Sequence, residues 1–331
     1  MYFRGRSLSI VTIILIGCIL FGLLTFQLVM NLNRLDQEAM AYKPYLRIAL
    51  LLEGPTYDQG WNSSAFSSLQ NLQDKYDFTL EVADNLKADQ IQSSATSFAR
   101  EGFDLVLGHG IIFSKPFNLM APHFPNTRFV TLNGEAVSRN QTAIQYDMKP
   151  AGFLTGKLAA LMSKSHKIGY IVVDQPTEFR QIEGYRQGAK KAYADTEIVV
   201  KKVPDFNDKA NAILAAKELI DEGVDVIYTT GDSINLDVIM EAQKANIYAI
   251  GYIADQRYIA PNHVLACLIQ DVRQVYTTIL EQYLGGNLPS GVVTYGLQEG
   301  VNRLSPFGPM VPKEVQNDIM KELQQLLQEK K

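Results

Sequence analysis

Cysteine is almost missing from this chain. Among its 331 residues only Cys18 and Cys267 are cysteines, which excludes a disulfide framework. They are too far apart in sequence to form a Cys-x-x-Cys pair. Histidine is scarce too. His109, His123, His166 and His263 stand far apart and lack the spacing of a zinc site. Positive charge is not in excess: 31 basic residues face 35 acidic ones, for a net charge of −4. Nucleic-acid binding needs a basic footprint for phosphate, and none appears. The charged fraction of 20% and the hydrophobic fraction of 47% are ordinary, so wholesale disorder is excluded. At ~100–200 residues per domain the length allows two domains, or one large one.

Catalytic motifs are also lacking. Gly152-Phe-Leu-Thr-Gly156-Lys157 has three residues between its glycines, where a phosphate loop needs four followed by Lys and Ser or Thr. Its small residues, with Ala160, suit close helix packing instead. Gly108-His109-Gly110 lacks the third glycine of a dinucleotide fingerprint. Ser233 lacks both the closing glycine of a nucleophile elbow and a histidine partner. Asp58, Asp147, Asp232 and Asp255 carry carboxylates, but no spacing marks a pair. These absences argue against an enzyme and imply no cofactor.

One long apolar run is present. Residues 8–30 carry no charge, and roughly 20 apolar residues span a bilayer as a helix. Arg4 and Arg6 precede the run, and the positive-inside rule assigns them to the cytoplasm. Leu15-Ile16-Gly17-Cys18 fits the pattern at which lipoproteins are cleaved and lipidated on cysteine. Residues 19–30 nevertheless stay apolar, where a lipoprotein turns polar. An uncleaved anchor and a lipidated Cys18 are both consistent with the run, and both put the remaining chain on the extracytoplasmic face. Residues 1–30 are thus read as anchor or signal segment and 31–44 as a tether. Without Arg4 and Arg6 the net charge becomes −6.

Beyond the tether, continuous apolar runs alternate with helical patterns. Ile48 to Leu52 reads as a buried strand, and Phe66, Leu69, Leu72 and Tyr76 mark a helix. Such alternation indicates parallel sheets covered on both faces. Residues 101–110 (EGFDLVLGHG) echo residues 222–231 (EGVDVIYTTG), with matching flanks, which predicts two similar lobes. Gly110 and Gly231 would then stand at strand carboxyl ends, where such sheets bind ligands. Trp61, the sole tryptophan, falls in the turn after the first strand, with Asn62 suited to cap the helix from Ser63. Trp61 either packs on its own lobe or offers a flat ring to a cleft. Phe206 occupies the corresponding turn of the second lobe, where Asp208 suits a helix cap. Val315, Ile319, Leu323 and Leu326 form a stripe suited to pack the last helix on a lobe.

Six segments in order carry a family resemblance. They are Asp58-Gln-Gly-Trp61-Asn62, Phe124-Pro-Asn-Thr-Arg-Phe129, Ala151-Gly-Phe-Leu-Thr-Gly156 with Lys167-Ile-Gly169, Gly184-Tyr-Arg-Gln-Gly188, Asp205-Phe206-Asn-Asp208, and Gly251-Tyr-Ile-Ala-Asp255-Gln256. Over about residues 45–310 the chain resembles the basic membrane protein family, whose best-known members bind purine nucleosides for import. The resemblance implies a type I periplasmic-binding fold: two Rossmann-like α/β lobes joined by a hinge, preceded here by one N-terminal transmembrane helix. Lobe 1 is expected to hold 45–146 and about 256–287. Lobe 2 is expected to hold 147–255 and part of 288–331. The crossovers are expected near 145–147, near 253–255 and after Leu288.

The resemblance further implies that a nucleobase stacks between Trp61 and Phe206, with Asp58 and Asn62 as polar contacts. Nucleoside binders of the family carry an aspartate at the position of Ile253 and a lysine near Gln270, groups expected to hold the ribose. Gly108, His109, Gly231, Asp232, Asn235 and Asp255 resemble a branch of the family in Bacillus-like bacteria that includes a positive regulator of competence. There His109 either points into the cleft or pairs within its own loop. Two readings follow: a membrane-tethered solute-binding protein serving an ABC transporter permease, or a regulator that kept the fold and signals from the membrane, through a membrane sensor, without binding DNA.

Overall fold

The computed structural model describes residues 20–31, 46–57, 61–175, 178–205, 208–231 and 234–328. The chain divides into two units, Met1–Leu46 and Arg47–Lys331. In the first, residues 20–31 are helical and exposed. Cys18 and much of the expected membrane segment lie outside the described residues. Among the described residues no helix is long and apolar enough to cross a membrane.

The body begins with β1 (Leu46–Leu51), α1 (Trp61–Tyr76), β2 (Phe78–Ala83), α2 (Ala88–Arg100) and β3 (Leu105–Gly108). There follow α3 (Ser114–Met120), β4 (Arg128–Leu132), β5 (Gln141–Tyr146), α4 (Met148–Met162), β6 (Lys167–Val173), α5 (Phe179–Ala192) and β7 (Glu197–Val203). Then come α6 (Lys209–Asp221), β8 (Val226–Thr230), α7 (Ile234–Lys244), β9 (Tyr248–Ile253) and β10 (Val264–Gln270). The chain closes with α8 (Val272–Leu284), β11 (Gly291–Tyr295), β12 (Asn302–Leu304) and α9 (Lys313–Gln328). The strands form two six-stranded sheets, β11-β5-β4-β3-β1-β2 and β12-β10-β9-β8-β6-β7. Pairing is parallel along β1–β3–β4–β5–β11 and along β7–β6–β8–β9–β10. β12 is antiparallel to β10. Two parallel α/β lobes are therefore present, as the alternation predicts.

The ten-residue echo has a physical cause. In each copy the helix ends on a glycine with positive φ, Gly102 at 79° and Gly223 at 84°. The next N–H reaches back in the same way, Phe103 to the Phe98 carbonyl and Val224 to that of Leu219. This Schellman-type stop turns the chain from helix to strand. The strands it launches, β3 and β8, hold equivalent positions in the two sheets.

The assignment of the later segments differs from expectation. β10 was expected in lobe 1 but pairs β9 in the second sheet. β11, expected in lobe 2, pairs β5 in the first. The crossovers fall at 146–148, 270–272 and 295–302, so the first and third lie where they were placed and the second does not. A strand such as Val264–Gln270, buried over six of seven residues, reads the same in either sheet. Local pattern does not choose between them; pairing does. By strand membership lobe 1 holds 46–146 and 271–295, and lobe 2 holds 147–270 and 297–328.

The crossovers are laced together. The Asp147 N–H donates to the Tyr295 carbonyl at 2.7 Å, and the Asp271 N–H to the Val301 carbonyl at 2.7 Å. Asn302 Nδ2 donates to the Asp147 carbonyl at 3.2 Å. Gln270 Nε2 and Asn302 Nδ2 both reach the Met148 thioether, at 3.3 and 3.5 Å.

Within lobe 2, α4 and α5 approach almost backbone to backbone. A Cβ on Gly156 would meet the main chain of Tyr185, and one on Gly188 that of Phe153. The small face read from Gly152, Gly156 and Ala160 is thus used for packing. Ile319 of α9 is buried in this lobe's core, with Val315, Leu323 and Leu326 packed beside it. Below them Lys157 pairs with Asp318 and Glu322, each at 2.9 Å, and Lys191 reaches Glu322 at 2.9 Å.

Candidate ligand-binding site

The carboxyl ends of the parallel strands carry the candidate residues. In lobe 1 the loop after β1 leads into α1, whose first residue is Trp61. The sequence reading put Trp61 in the turn and Asn62 at the cap; both are already helical. Asn62 Oδ1 instead accepts from the Gly54 N–H at 3.3 Å. Gly54 is needed there, because a Cβ would lie 2.6 Å from the Asn62 amide.

Trp61 and His109 clasp one another. Their rings stack at 4.1 Å with a 26° interplanar angle. The indole N–H donates to the His109 carbonyl at 3.2 Å. His109 Nε2 lies 3.0 Å from the Trp61 carbonyl, and Nδ1 lies 2.8 Å from the Tyr276 hydroxyl. A carbonyl only accepts, so Nε2 carries the proton and, in the neutral ring, Nδ1 accepts from Tyr276. His109 is fully buried. Its two ring nitrogens reach Trp61 and Tyr276, and its ring backs the indole. Trp61 itself stays half-buried, so it packs on its own lobe while keeping some surface open.

Gly108 ends β3 where a Cβ would strike the Phe113 ring, so its role is packing. Tyr146, which sequence reasoning missed, ends β5 with its ring 6.5 Å from that of Trp61, tilted 59°. Its hydroxyl oxygen is buried without a hydrogen-bond partner. Burial pushes its pKa far up, and the nearby Asp271 carboxylate adds to this, so the phenol stays protonated. Burial also holds the Tyr276 phenol well above its ordinary range.

In lobe 2, Gly231 follows β8 and is buried. Asn235, fully buried, donates through Nδ2 to the Gly231 carbonyl. Its Oδ1 has no partner. Beside them Glu178 accepts from the Thr230 hydroxyl at 2.8 Å, a second contact missed in sequence. Asp208 caps α6 by accepting from the Asn211 N–H at 3.1 Å, as its position predicts. Asp58, Phe206 and Asp232 lie outside the described residues.

Two candidates stand apart. Asp255 is bound to Arg257 in its own turn, at 2.7 and 2.9 Å. That guanidinium holds its carboxyl below the usual range. Gln270, at the second crossover, donates to the Met148 thioether. Ile253, at the end of β9, has φ 71°, a left-handed conformation that costs a β-branched residue about 1–3 kcal/mol. Among the described residues no cluster fit to hold a metal occurs.

Comparison with known proteins agrees with this architecture. A family model described as ABC transporter substrate-binding protein, PnrA-like, matches residues 45–331. The transcriptional activator protein med of Bacillus subtilis (strain 168) is 31% identical over 276 residues, covering 83% of this chain and 86% of that protein. A purine-binding protein of Brucella abortus (strain 2308) is 28% identical over 272 residues, covering 80% of this chain and 76% of its own. The crystal structure of a transcriptional activator of the comK gene from Bacillus halodurans superposes with a TM-score of 0.79 at 28% identity. That match covers 85% of this chain and 98% of the other.

Proposed function

Because the chain belongs to the Bmp family of PnrA-like ABC transporter substrate-binding proteins, we propose that its two lobes close by a hinge on a purine, as free base or nucleoside. The observation that carries this reading is the His109–Trp61 stack. Its hydrogen bond to the His109 carbonyl and its stack on the imidazole fix the indole before any ligand arrives, so little side-chain entropy is lost when a planar ligand stacks on it. The indole N–H is spent on the His109 carbonyl, which leaves Trp61 to recognise shape. Phe206 would cover the opposite face of the ligand ring. Polar recognition falls to Asn235, Glu178 and the residues around Asp58 and Asp232. Ile253 and Gln270 stand where nucleoside binders of the family carry an aspartate and a lysine, so the ribose is held without that charged pair.

In this reading the uncharged run 8–30 tethers the protein to the membrane, as a spanning helix or through lipid on Cys18. The binding body faces outward. Its closed form is read by an ABC transporter permease. A second reading, a membrane-tethered regulator of competence, is favoured by the similarity to the two activators.

The test is a thermal-shift series on the full-length chain in mild detergent, with adenosine, guanosine, inosine and their free bases. At about 100-fold over Kd, binding adds ~2.7 kcal/mol. That raises Tm by roughly 5–10 °C in a body of this size, and Trp61→Ala removes the rise. A folded sample that none of these ligands shifts refutes the purine reading. In cells, deletion abolishes purine uptake under the first reading and lowers competence gene expression under the second.

A further inference from the structure

Of the polar groups near Trp61, one has nothing to do. Tyr276 spends its hydroxyl on His109, and the indole N–H is spent as well. Among the described residues the Tyr146 hydroxyl, although buried, meets no donor or acceptor. A phenylalanine would fill the same space without the cost of an unmade hydrogen bond. The position is also a special one. Tyr146 is the last residue of β5, directly before the first crossover, and its ring neighbours the indole.

We propose that the Tyr146 hydroxyl is a ligand contact, donating a hydrogen bond to a ring nitrogen on the hinge-facing edge of a purine stacked on Trp61. The phenol is kept protonated by its surroundings, so it keeps a proton to donate to an acceptor on that edge. Closure of the lobes about 146–148 brings that edge against it. The contact rests on the purine reading of the cleft, and it adds to that reading a residue that senses both the ligand and the hinge.

The experiment compares wild type and Tyr146→Phe, full length in detergent, by melting without ligand and by calorimetric titration with adenosine. The titration is repeated with 1-deaza-, 3-deaza- and 7-deazaadenosine. Without ligand, Tyr146→Phe melts at or above the wild-type temperature. Its Kd for adenosine rises about tenfold. For one deaza analogue the two proteins bind equally, because the acceptor itself is gone. Three results overturn the proposal. The first is an unchanged Kd at an unchanged Tm. The second is a lower Tm with an unchanged Kd, which would give the hydroxyl an internal water as its partner. The third is the same Kd ratio for all three analogues, which would put the contact off the base. If wild type binds none of the purines tested, the parent reading fails first and takes this contact with it. If wild type binds and only the Tyr146→Phe comparison fails, the parent reading stands.

Discussion

Replacing Gly156 or Gly188 with alanine sets two effects of opposite sign against each other. Both glycines lie inside helices, where alanine is favoured by about 1 kcal/mol on intrinsic propensity. If that were all, each variant would be more stable. The structure says otherwise. The new methyl on Gly156 would overlap the main chain of Tyr185, and that on Gly188 the main chain of Phe153. Main-chain atoms cannot rotate away, so the helices must separate by roughly 1 Å or more to regain van der Waals distance. Overpacking of this kind costs about 1–3 kcal/mol, and rigid neighbours favour the upper end. After the propensity gain, each single variant loses about 1–2 kcal/mol, or roughly 2–8 °C in Tm for a body of this size. The double variant loses less than the sum of the singles, because one separation relieves both overlaps. Differential scanning calorimetry of the full-length chain reads all three. A rise in Tm for either single variant would refute the backbone-to-backbone contact of α4 and α5.

Other consequences are independent of that one. Burial alone would raise the Glu322 carboxyl, but the hydrogen bonds and charges of Lys157 and Lys191 outweigh it and leave it below its ordinary value. The stabilisation is therefore full above about pH 4.5 and lost as pH falls through the folded value. Glu322→Gln, which leaves the buried Lys157 with Asp318 alone, costs about 3 kcal/mol at pH 7 and progressively less below pH 4, read by urea melts at the two pH values. His109→Ala strips the Trp61 carbonyl and the Tyr276 hydroxyl of their partner and opens a cavity. It lowers stability by about 2–4 kcal/mol and weakens any ligand that Trp61 binds; unchanged values of both would break the clasp argument. Asp208→Ala removes the α6 cap at a cost of about 1 kcal/mol, and a melt indistinguishable from wild type would count against it.

The elements that were legible in the sequence are those set by local physics. The run Ile48 to Leu52 is apolar throughout because its strand is covered on both faces. The Glu-Gly-x-Asp echo is legible because a left-handed glycine is needed to stop each helix. Asp208 announced its cap, and the α9 stripe announced a buried face. The site was legible in part. Trp61 stood out by rarity and His109 by its place beside Gly108, but their mutual stack was not, because 48 residues separate them and neither pattern names the other. Tyr146 and Glu178 carried no signal beyond standing at the end of a strand and the start of a helix. Asp255 looked available, and only the turn geometry brings Arg257 back onto it.

Two parallel α/β lobes follow from local pattern, since strand and helix periods, helix stops and caps act over a few residues. Only the tertiary structure decided which sheet each late strand joins, since β10 and β11 are apolar enough for either lobe and differ only in their partners. It also decided what each polar group near the cleft is free to do. Whether a hydroxyl, amide or carboxylate remains for a ligand depends on what the folded chain has already placed beside it. The indole N–H, Asp255 and Gln270 already have partners in the folded chain, and among the described residues the Tyr146 hydroxyl and Asn235 Oδ1 have none.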